Sequence, residues 1–343
     1  MHKCRIDKTQ SSWYFNMMSK SIDLSLVIPL FNEEEVIPFL LEEIVKAAKD
    51  TSKSYEVVFI DDGSTDNTFQ LIKLASEKDS QIKVLRLSRN FGHQAAFNVG
   101  IDFARGDMVL TMDGDLQHPP SLIPTFIKYA EEGSDIVIGE RLNNKQNSKL
   151  REIGGKGFYK LMSAITGLEF RNVSDFALYK RSVVNALKKL PERERYLRGM
   201  IQWIGFKKKY VPYIAESRRA GKPKYNVKKL TELVLSGMTS FSAFPLRLAF
   251  WAGLFVLFVS IIFSIYVIAD HYFNPDPLAA GYATITLIVL FLGSVQLMVL
   301  GIVGEYMYKM FNEVKGRPLY IVSETCNIGR DNIKETPYGI HSF

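Results

Sequence analysis

The sequence contains little cysteine and no recognisable leader. Cys4 and Cys326 are its two cysteines, and they lie near opposite ends of the 343-residue chain. This count excludes a disulfide framework and indicates a reducing cytoplasm. The N-terminal region has no apolar core long enough for a signal peptide. Residues 1–21 therefore read as an N-terminal extension, of which residues 1–16, before Met17, could be dispensable.

Two common signatures of phosphate binding and covalent catalysis are also missing. No glycine-rich loop of the GxGxxG or GxxxxGK[ST] type follows a predicted strand, which argues against a dinucleotide enzyme and against a P-loop NTPase. No obvious Ser/His or Cys/His constellation for a covalent intermediate is present either. We infer that any bound phosphate is held by a metal ion and by basic side chains.

Two long segments contain no charged residue. Residues 248–269 run for 22 residues and residues 278–304 for 27, whereas about 20 apolar residues suffice to cross a hydrocarbon core of about 30 Å. The alternative is a buried core helix, which rarely reaches this length without one charged edge. The pattern predicts two transmembrane helices that form a hairpin.

The residues around this hairpin predict its orientation. The connecting residues 270–277 contain no Lys or Arg, and basic residues lie outside the two spans, namely Lys228, Lys229, Arg247, Lys309, Lys315 and Arg317. By the positive-inside rule, both outer flanks are cytoplasmic. We therefore predict an integral protein of the cell (inner) membrane, with a cytoplasmic N-terminal domain and a cytoplasmic C-terminal tail over residues 305–343.

Positive charge is concentrated before the hairpin. Residues 141–230 carry 23 Lys and Arg against 6 Asp and Glu, so the rest of the chain is acidic although the net charge is +7. Anionic lipid headgroups attract such a segment, and apolar residues at helical spacing in residues 226–247 predict an amphipathic juxtamembrane segment that lies in the interface. Nucleic acid is the competing partner, but no nucleic-acid module is apparent, so none is predicted.

Continuous apolar runs alternate with helix-length segments in the first part of the chain. The runs are residues 24–30, 55–61, 82–88, 107–113 and 135–139. Apolar strands that alternate with helices predict a mostly parallel sheet covered on both faces. In such a sheet, ligands bind at the carboxyl ends of the strands.

Acidic clusters follow three of these strands. They are "FNEEE" after the first strand, "DDGSTD" at the end of the second and "DGD" at the end of the fourth. Each cluster alone is typical of a turn or a helix cap. Three clusters at one edge repel one another unless a cation or a set of hydroxyl and amide donors lies among them. This edge therefore predicts metal-bound phosphate together with a ribose and a base.

The motifs "VIPLFNEE", "FIDDGSTDNT", "RNFGHQAAFNVGIDFARGD" and "MDGDLQHPP" together resemble the inverting family 2 glycosyltransferases with a GT-A fold. The later segments "SDFALYKR", "RGMIQWIGF" and "RRAGKPKYNVKKL" are similar to those of polyprenyl-phosphate sugar transferases. That group includes dolichyl-phosphate mannose synthases and bacterial undecaprenyl-phosphate glucosyl and aminoarabinosyl transferases. The resemblance covers about residues 22–325. It implies an α/β, Rossmann-like GT-A domain over residues 22–225, followed by the juxtamembrane segment and the hairpin.

The resemblance implies a divalent-metal site in the DxD motif. Asp115 and Gln117 are the expected ligands of Mg²⁺ or Mn²⁺, with Asp113 facing the ribose and diphosphate as a further ligand. Asp115 is thereby also an expected catalytic residue. Such ions prefer oxygen ligands and take several of them from phosphate and water. For His118, a loop or capping role is expected rather than metal ligation.

Nucleotide-sugar contacts are implied for a larger set of residues, namely Pro29, Phe31, Glu33, Asp62, Asp113, Gly114, Asp115, Arg141, Arg218 and Lys224. Phe31 stands where the family often has tyrosine, so a hydroxyl contact is lost while ring packing remains. The basic members would neutralise charge on the leaving diphosphate and on the acceptor phosphate. Residues 222–224 are expected to form a loop that closes over the donor, whereas residues 207–209 read as solvated charge.

Asp175, in "NVSDFALYKR", is the expected catalytic carboxylate, either as a general base or as a group that orients the acceptor. Without the resemblance, a helix or turn cap after Ser174 is an equal alternative. Ala177 departs from the family pattern, which commonly has arginine there, so the family's acceptor-phosphate contact at that position is not carried over.

The implied reaction is the inverting transfer of a hexose, with UDP-glucose as the expected donor, to undecaprenyl phosphate, giving a lipid-linked sugar for cell-envelope glycosylation. GDP-mannose, UDP-aminoarabinose and UDP-galactose stay open as donors. A processive polysaccharide synthase is disfavoured because Gln202 and Trp203 are adjacent and do not form a Q-x-x-R-W motif. A non-catalytic membrane scaffold that binds nucleotide sugar is the alternative of another class. A homo-oligomer packed through the hairpins is expected.

Overall fold

The structure, a computed structural model, describes residues 22–142, 173–192, 195, 197–215, 244–273 and 281–329. The chain divides into two compact units. The first unit comprises Met1–Glu152, Arg171–Pro223 and Pro318–Phe343, and the second comprises Ile153–Phe170 and Lys224–Arg317. The first unit therefore includes residues that precede the predicted hairpin and residues that follow it.

The described part of the first unit consists of eight strands and six α-helices. The strands are β1 (Leu24–Leu30), β2 (Tyr55–Asp61), β3 (Ile82–Leu87), β4 (Met108–Thr111), β5 (Ile136–Leu142), β6 (Val173–Lys180), β7 (Lys208–Ile214) and β8 (Val322–Cys326). The helices are α1 (Ile37–Asp50), α2 (Thr68–Lys78), α3 (His93–Phe103), α4 (Ile123–Glu131), α5 (Arg181–Lys189) and α6 (Leu197–Trp203).

All eight strands form one sheet in the order β7-β5-β6-β4-β1-β2-β3-β8. Strands β4, β1, β2 and β3 are mutually parallel, and β5 is parallel to β7. Strand β6 runs antiparallel to β4 and β5, and β8 runs antiparallel to β3. The predicted mostly parallel sheet is confirmed, and each of the five apolar runs forms a strand. Strands β6, β7 and β8 were not predicted.

The parallel centre of the sheet is buried on both faces. Every residue of β1 and β2 is buried, which is what continuous apolar strands between two layers of helices require. Helix α1 covers one face through an apolar stripe at helical spacing, formed by Ile37, Leu40, Ile44, Ala47 and Ala48. The sequence periodicity therefore determines which side of each helix faces the sheet.

Helix α3 packs unusually close to β1 and β2. A Cβ atom at Gly100 would lie 2.1 Å from Val27 Cγ1 and 2.8 Å from Ile60 Cδ1. Glycine is the residue that permits such an approach, because any side chain would have to displace two buried strand residues. The position of α3 relative to the sheet is therefore fixed, and so is the position of His93 at its first turn.

The residues after the predicted hairpin complete the sheet of the first unit. Strand β8 pairs with β3, and Glu324 accepts a 2.6 Å hydrogen bond from Lys73 on α2. The Asn327 side chain donates to the carbonyl oxygens of Ser76 and Ile82 at 2.6 and 2.9 Å. The sequence predicted these residues only as part of a cytoplasmic tail. In the structure they cover the β3 edge, which would otherwise expose unpaired backbone groups.

A buried polar cluster joins this returning segment to the C-terminal end of α3. The Tyr320 hydroxyl donates to Asp102 Oδ2 at 3.2 Å, and Arg195 Nη1 lies 3.5 Å from Asp102 Oδ1. Lys188 Nζ donates to the Asp102 carbonyl oxygen at 2.7 Å. Burial raises the pKa of Asp102, and the charges of Arg195 and Lys188 oppose that rise. A buried carboxylate is stable only with such partners.

The described part of the second unit consists of two long helices, α7 (Phe244–Phe273, 30 residues) and α8 (Gly281–Lys315, 35 residues). The predicted span 248–269 lies within α7, and residues 281–304 of the other span lie within α8. By length and composition, Phe291–Lys315 is the one described helical segment that could cross a membrane, and Ala249–Phe263 is a shorter apolar helical stretch. Many large apolar side chains on both helices are exposed, including Phe255, Phe258, Ile265, Leu297 and Met298.

Replacing Tyr320 with Phe tests whether the returning segment stabilises the first unit. The substitution removes one donor from a buried carboxylate, so we expect the free energy of unfolding to fall by about 1–3 kcal/mol. Tyr129→Phe, at a partly exposed position on α4, is the matched control and should cost less. Chemical denaturation of the purified protein measures both. Equal losses in the two variants would show that the Tyr320 hydroxyl is not a structural contact.

Candidate active site

The site lies at the carboxyl edge of the parallel strands. Asp113 follows β4 by two residues, and the pairing of Thr111 with Ala177 brings Asp175 on β6 to the same edge. The Thr111 hydroxyl donates to the Asp175 carbonyl oxygen at 2.6 Å and fixes the two strands locally. Helix α3 begins at this edge with His93. Three elements therefore converge where the sequence predicted ligand binding.

His93 lies between the two carboxylates. Its Nε2 atom is 3.0 Å from Asp113 Oδ1 and 3.6 Å from Asp175 Oδ2. Partial burial by itself lowers the pKa of His93, but its contacts with the two carboxylates outweigh that effect and raise the pKa to about 10. His93 is therefore a cation at neutral pH, and it separates two like charges that would otherwise repel.

Asp175 has a second cationic partner. Arg198 Nε and Nη2 each donate to one Asp175 oxygen at 2.9 Å, which is a bidentate pair, and the Asp175 side chain is only 9% exposed. Burial raises the pKa of Asp175, but Arg198 and His93 outweigh it and hold the pKa well below its usual range. Asp175 is therefore a stable anion held in a fixed orientation.

The DxD loop is held by His118. The Asp113 N–H donates to His118 Nδ1 at 3.0 Å. The His118 ring is buried and stacks on Phe176 with a centroid distance of 5.1 Å. Within the loop, the Gln117 N–H donates to Asp115 Oδ1 at 3.1 Å. The expected loop role of His118 agrees with these contacts.

Gly114 allows the DxD loop to approach the end of β1. A Cβ atom there would lie 2.3 Å from Leu30 Cδ2 and 3.2 Å from the Pro29 carbonyl oxygen. Two residues of the predicted nucleotide-binding set, Pro29 and Gly114, are thereby brought together. Any larger residue at position 114 would push the loop away from β1.

The turn after β1 is joined to the loop after β2. The Glu33 N–H donates to the Thr68 hydroxyl at 2.8 Å, and Asn32 Oδ1 accepts from the Thr65 N–H at 2.9 Å. Asn32 has a φ of 52°, a left-handed conformation that Asn tolerates better than most residues. These contacts hold Phe31 and Glu33 at the same edge of the sheet as the DxD loop.

Asp62 is engaged with the backbone that leads into α3. Its two carboxylate oxygens accept from the N–H groups of Phe91 and Gly92 at 2.7 and 3.0 Å. Burial raises the pKa of Asp62, and these two hydrogen bonds oppose the rise. Gly63, at φ 69°, lets the backbone of Arg89 pass within van der Waals distance. In this structure Asp62 therefore positions the loop before His93.

One of the three predicted basic residues is among the described residues. Arg141, near the end of β5, has Nη1 3.4 Å from Gln117 Oε1, so its guanidinium reaches the DxD loop. Arg218 and Lys224 lie outside the described residues, as does the predicted loop 222–224.

Two site residues were not singled out from the sequence, His93 and Arg198. Both occur in motifs that carry the family resemblance, "RNFGHQAAF" and "RGMIQWIGF", but no spacing rule links them to Asp175. Ala177 is buried within β6 and places no charge beside Asp175. Arg198 on α6 supplies a cation there instead.

The chemistry of the donor set fits a cation. Ligand atoms of His93, Asp113 and Asp175 all lie within 4.8 Å of one another. Asp113 Oδ1 is buried and makes no well-aligned hydrogen bond among the described residues, although His93 is close. Only Asp113 is common to this group and to the predicted set of Asp113, Asp115 and Gln117. Hard divalent cations prefer oxygen ligands, which favours the predicted set over one that includes an imidazole.

Two family profiles match the chain. The profile described as "Glycosyl transferase family 2" matches residues 25–188, and the profile described as "GtrB C-terminal hairpin" matches residues 244–310. The first match covers β1 to β6 of the first unit, and the second covers most of the two helices of the second unit.

Curated relatives are similar over most of the chain. The putative glycosyltransferase CsbB of Bacillus subtilis is 40% identical over 314 residues, which are 91% of this chain and 94% of the relative. The SfII prophage-derived bactoprenol glucosyl transferase of Shigella flexneri is 38% identical over 303 residues, which are 88% of this chain and 98% of the relative. Among solved structures, glucosyl-3-phosphoglycerate synthase from Mycobacterium tuberculosis is 19% identical, with a TM-score of 0.49 and coverage of 65% of this chain and 81% of that one.

Replacing His118 with Phe separates its hydrogen bond from its ring packing. The variant retains a ring to stack on Phe176 but leaves the Asp113 N–H without its acceptor, which costs about 1–3 kcal/mol. We expect a corresponding loss of unfolding free energy and faster hydrogen exchange at the Asp113 amide. His118→Asn, which offers an oxygen near the Nδ1 position, should partly restore the protection of that amide. Unchanged exchange in His118→Phe would contradict this account of the loop.

Proposed function

Because the chain belongs to glycosyl transferase family 2, we propose that it transfers glucose from a nucleotide-diphosphate sugar, UDP-glucose in the first instance, to a polyprenyl phosphate. Relatives named bactoprenol glucosyl transferase are 37–38% identical and match nearly their full length. The product is a lipid-linked sugar, which suits a chain that also carries the C-terminal hairpin of these relatives.

The observation that carries the proposal is the convergence of charges at the carboxyl edge of the sheet. Two carboxylates, Asp113 and Asp175, are interleaved with two cations, His93 and Arg198. An edge of this kind can bind a diphosphate through a metal ion. It can also stabilise the positive charge that develops on the sugar as its bond to the diphosphate breaks. A scaffold that only bound the nucleotide would not need Asp175 fixed beside the DxD loop.

Mg²⁺ or Mn²⁺ would be held by Asp115, Gln117 and Asp113. When bound, the cation neutralises charge on the leaving diphosphate. Arg141 reaches Gln117 and would add positive charge on the same side. We assign the remaining diphosphate contacts to Arg218 and Lys224, on the strength of the family resemblance.

The nucleoside is proposed to bind along the turn after β1. Pro29 and Gly114 are in contact there, and Phe31 and Glu33 follow directly. Phe31 can pack against the base but offers no hydroxyl group. Asp62 acts on the nucleotide site through the loop that it holds, since its two oxygens accept backbone hydrogen bonds.

The acceptor needs little activation. A lipid phosphate is already ionised at neutral pH, so one of its oxygens attacks the anomeric carbon without loss of a proton. The new bond forms between that oxygen and the anomeric carbon while the bond from the anomeric carbon to the diphosphate oxygen breaks. Attack from the opposite face inverts the configuration and releases the nucleoside diphosphate. Asp175 serves as a fixed anion that orients the reacting groups.

We further propose that α7 and α8 form a membrane hairpin, with the first unit in the cytoplasm. The apolar, exposed surfaces of both helices support this arrangement. The basic residues that flank the hairpin on both sides support the orientation. Residues 226–247, of which the structure describes only 244–247 at the start of α7, would lie in the interface and deliver the lipid phosphate. The hairpins of several copies would pack together in a homo-oligomer.

The first test is a transfer assay with the purified full chain in detergent. It is incubated with undecaprenyl phosphate, Mg²⁺ or Mn²⁺ and a panel of radiolabelled nucleotide sugars, and label is followed into the lipid phase. We expect transfer from UDP-glucose, a loss of about 10²-fold or more in Asp115→Ala, and loss on chelation with EDTA. Asp50→Ala, at the exposed end of α1, is the matched control and should retain activity.

The outcomes of this assay are distinct. Transfer from another donor, such as GDP-mannose or UDP-aminoarabinose, would support the proposed type of reaction and would show that the sugar is not glucose from UDP-glucose. Tight binding of nucleotide without transfer from any donor would refute the enzymatic function and support the scaffold.

A further inference from the structure

Four side chains of the site form one row of contacts, in which two carboxylates alternate with a guanidinium and an imidazole. Arg198 pairs with Asp175, Asp175 lies near His93, and His93 contacts Asp113. These four residues come from four separate elements, namely α6, β6, α3 and the loop after β4. This row of side-chain contacts therefore connects α6 to the DxD loop across the site.

The geometry at Asp175 limits what this carboxylate can do. Both of its oxygens accept from Arg198 at 2.9 Å, and only 9% of the side chain is exposed. A general base must present a lone pair to the proton that it removes. A carboxylate held in a bidentate pair cannot rotate toward a substrate without breaking two charge-assisted hydrogen bonds in a poorly solvated site.

The helix that carries Arg198 is itself held firmly. Leu197, Met200 and Ile201 of α6 are buried, and Arg195, just before the helix, lies 3.5 Å from the buried Asp102. The Asn98 side chain of α3 also donates to the Arg195 carbonyl oxygen at 3.4 Å. Arg198 is thus presented from a packed element, which is what a precise orienting role requires.

We propose that Arg198 is a positioning residue. It holds the Asp175 carboxylate in one orientation, and the contact of Asp175 with His93 sets the distance between Asp175 and the DxD loop. The inference rests on the proposed function, because the groups to be oriented are the sugar and the acceptor phosphate. It assigns Asp175 the orienting role and not that of a general base. Neither Arg198 nor His93 is required to contact the substrate for this to hold.

The kinetic test compares Arg198→Gln, Arg198→Lys, Asp175→Asn and the double variant Arg198→Gln/Asp175→Asn in the transfer assay. Arg105→Gln removes one exposed arginine distant from the site and is the matched control. We expect kcat to fall about 10²-fold in Arg198→Gln, because a misplaced group near the reacting atoms costs that much. The donor KM and the affinity for UDP should change by less than about 3-fold, because Arg198 is not proposed to contact the donor in the ground state.

Two further results are specific to a positioning role. The kcat of Arg198→Lys should exceed that of Arg198→Gln by less than about 10-fold, since an ammonium group keeps the charge but cannot form two parallel bonds to a carboxylate. The double variant should be no slower than the slower single variant, because residues that act as a unit are not additive. A kcat in Arg198→Gln equal to that of Arg105→Gln would overturn the proposal, and so would losses that multiply in the double variant.

The inference can be judged even if the wild-type protein transfers no sugar and the proposed function fails. The melting temperatures of the wild-type protein, Arg198→Gln, Asp175→Asn and the double variant, measured without substrate, report on the Arg198–Asp175 pair alone. Each single variant leaves a partly buried charge without its partner, so we expect the shift of the double variant to be smaller than the sum of the single shifts. Additive shifts would show that the pair is not formed and would overturn the proposal independently of activity.

Discussion

His93 lies between Asp113 and Asp175, and much of the first unit is arranged around this imidazole. Two carboxylates at one sheet edge repel each other, and partial burial makes the repulsion stronger because water no longer screens it. The His93 Nε2 atom lies 3.0 Å from Asp113 Oδ1 and 3.6 Å from Asp175 Oδ2, and Arg198 forms a second ion pair with Asp175. These contacts hold the charged edge of the sheet together without a bound ligand, and they fix four side chains in place.

The helix that supplies His93 is restrained along its whole length. At its start, Asp62 accepts hydrogen bonds from the backbone of Phe91 and Gly92, and in its middle Gly100 packs directly on β1 and β2. At its end, the buried Asp102 is bound by Tyr320 and Arg195. Residues that are far from the site in the sequence, including some that follow the hairpin, thus stabilise the helix on which the site depends.

The sequence predicted the parallel strands because each is buried on both faces and is therefore a continuous apolar run. Strands β7 and β8 are edge strands with polar residues such as Lys208 and Glu324, so composition does not distinguish them from loops. The DxD motif, Gly114 and Asp175 were predicted because they stand in recognisable motifs. His93 and Arg198 were not, although the structure brings both to Asp175, because a charge partner is selected by distance in space and not by spacing along the chain.

The amino-acid sequence by itself determined the layers of the sheet, the acidic edge, the apolar hairpin and the family, since these depend on local periodicity and on short motifs. Only the tertiary structure decided which charges meet. It paired Asp175 with Arg198, turned both oxygens of Asp62 toward the backbone before α3, and returned β8 to the sheet after the hairpin. The physical reason is that hydrogen bonds and ion pairs act over about 3–4 Å, so they form only where packing of the whole unit has already brought distant segments together.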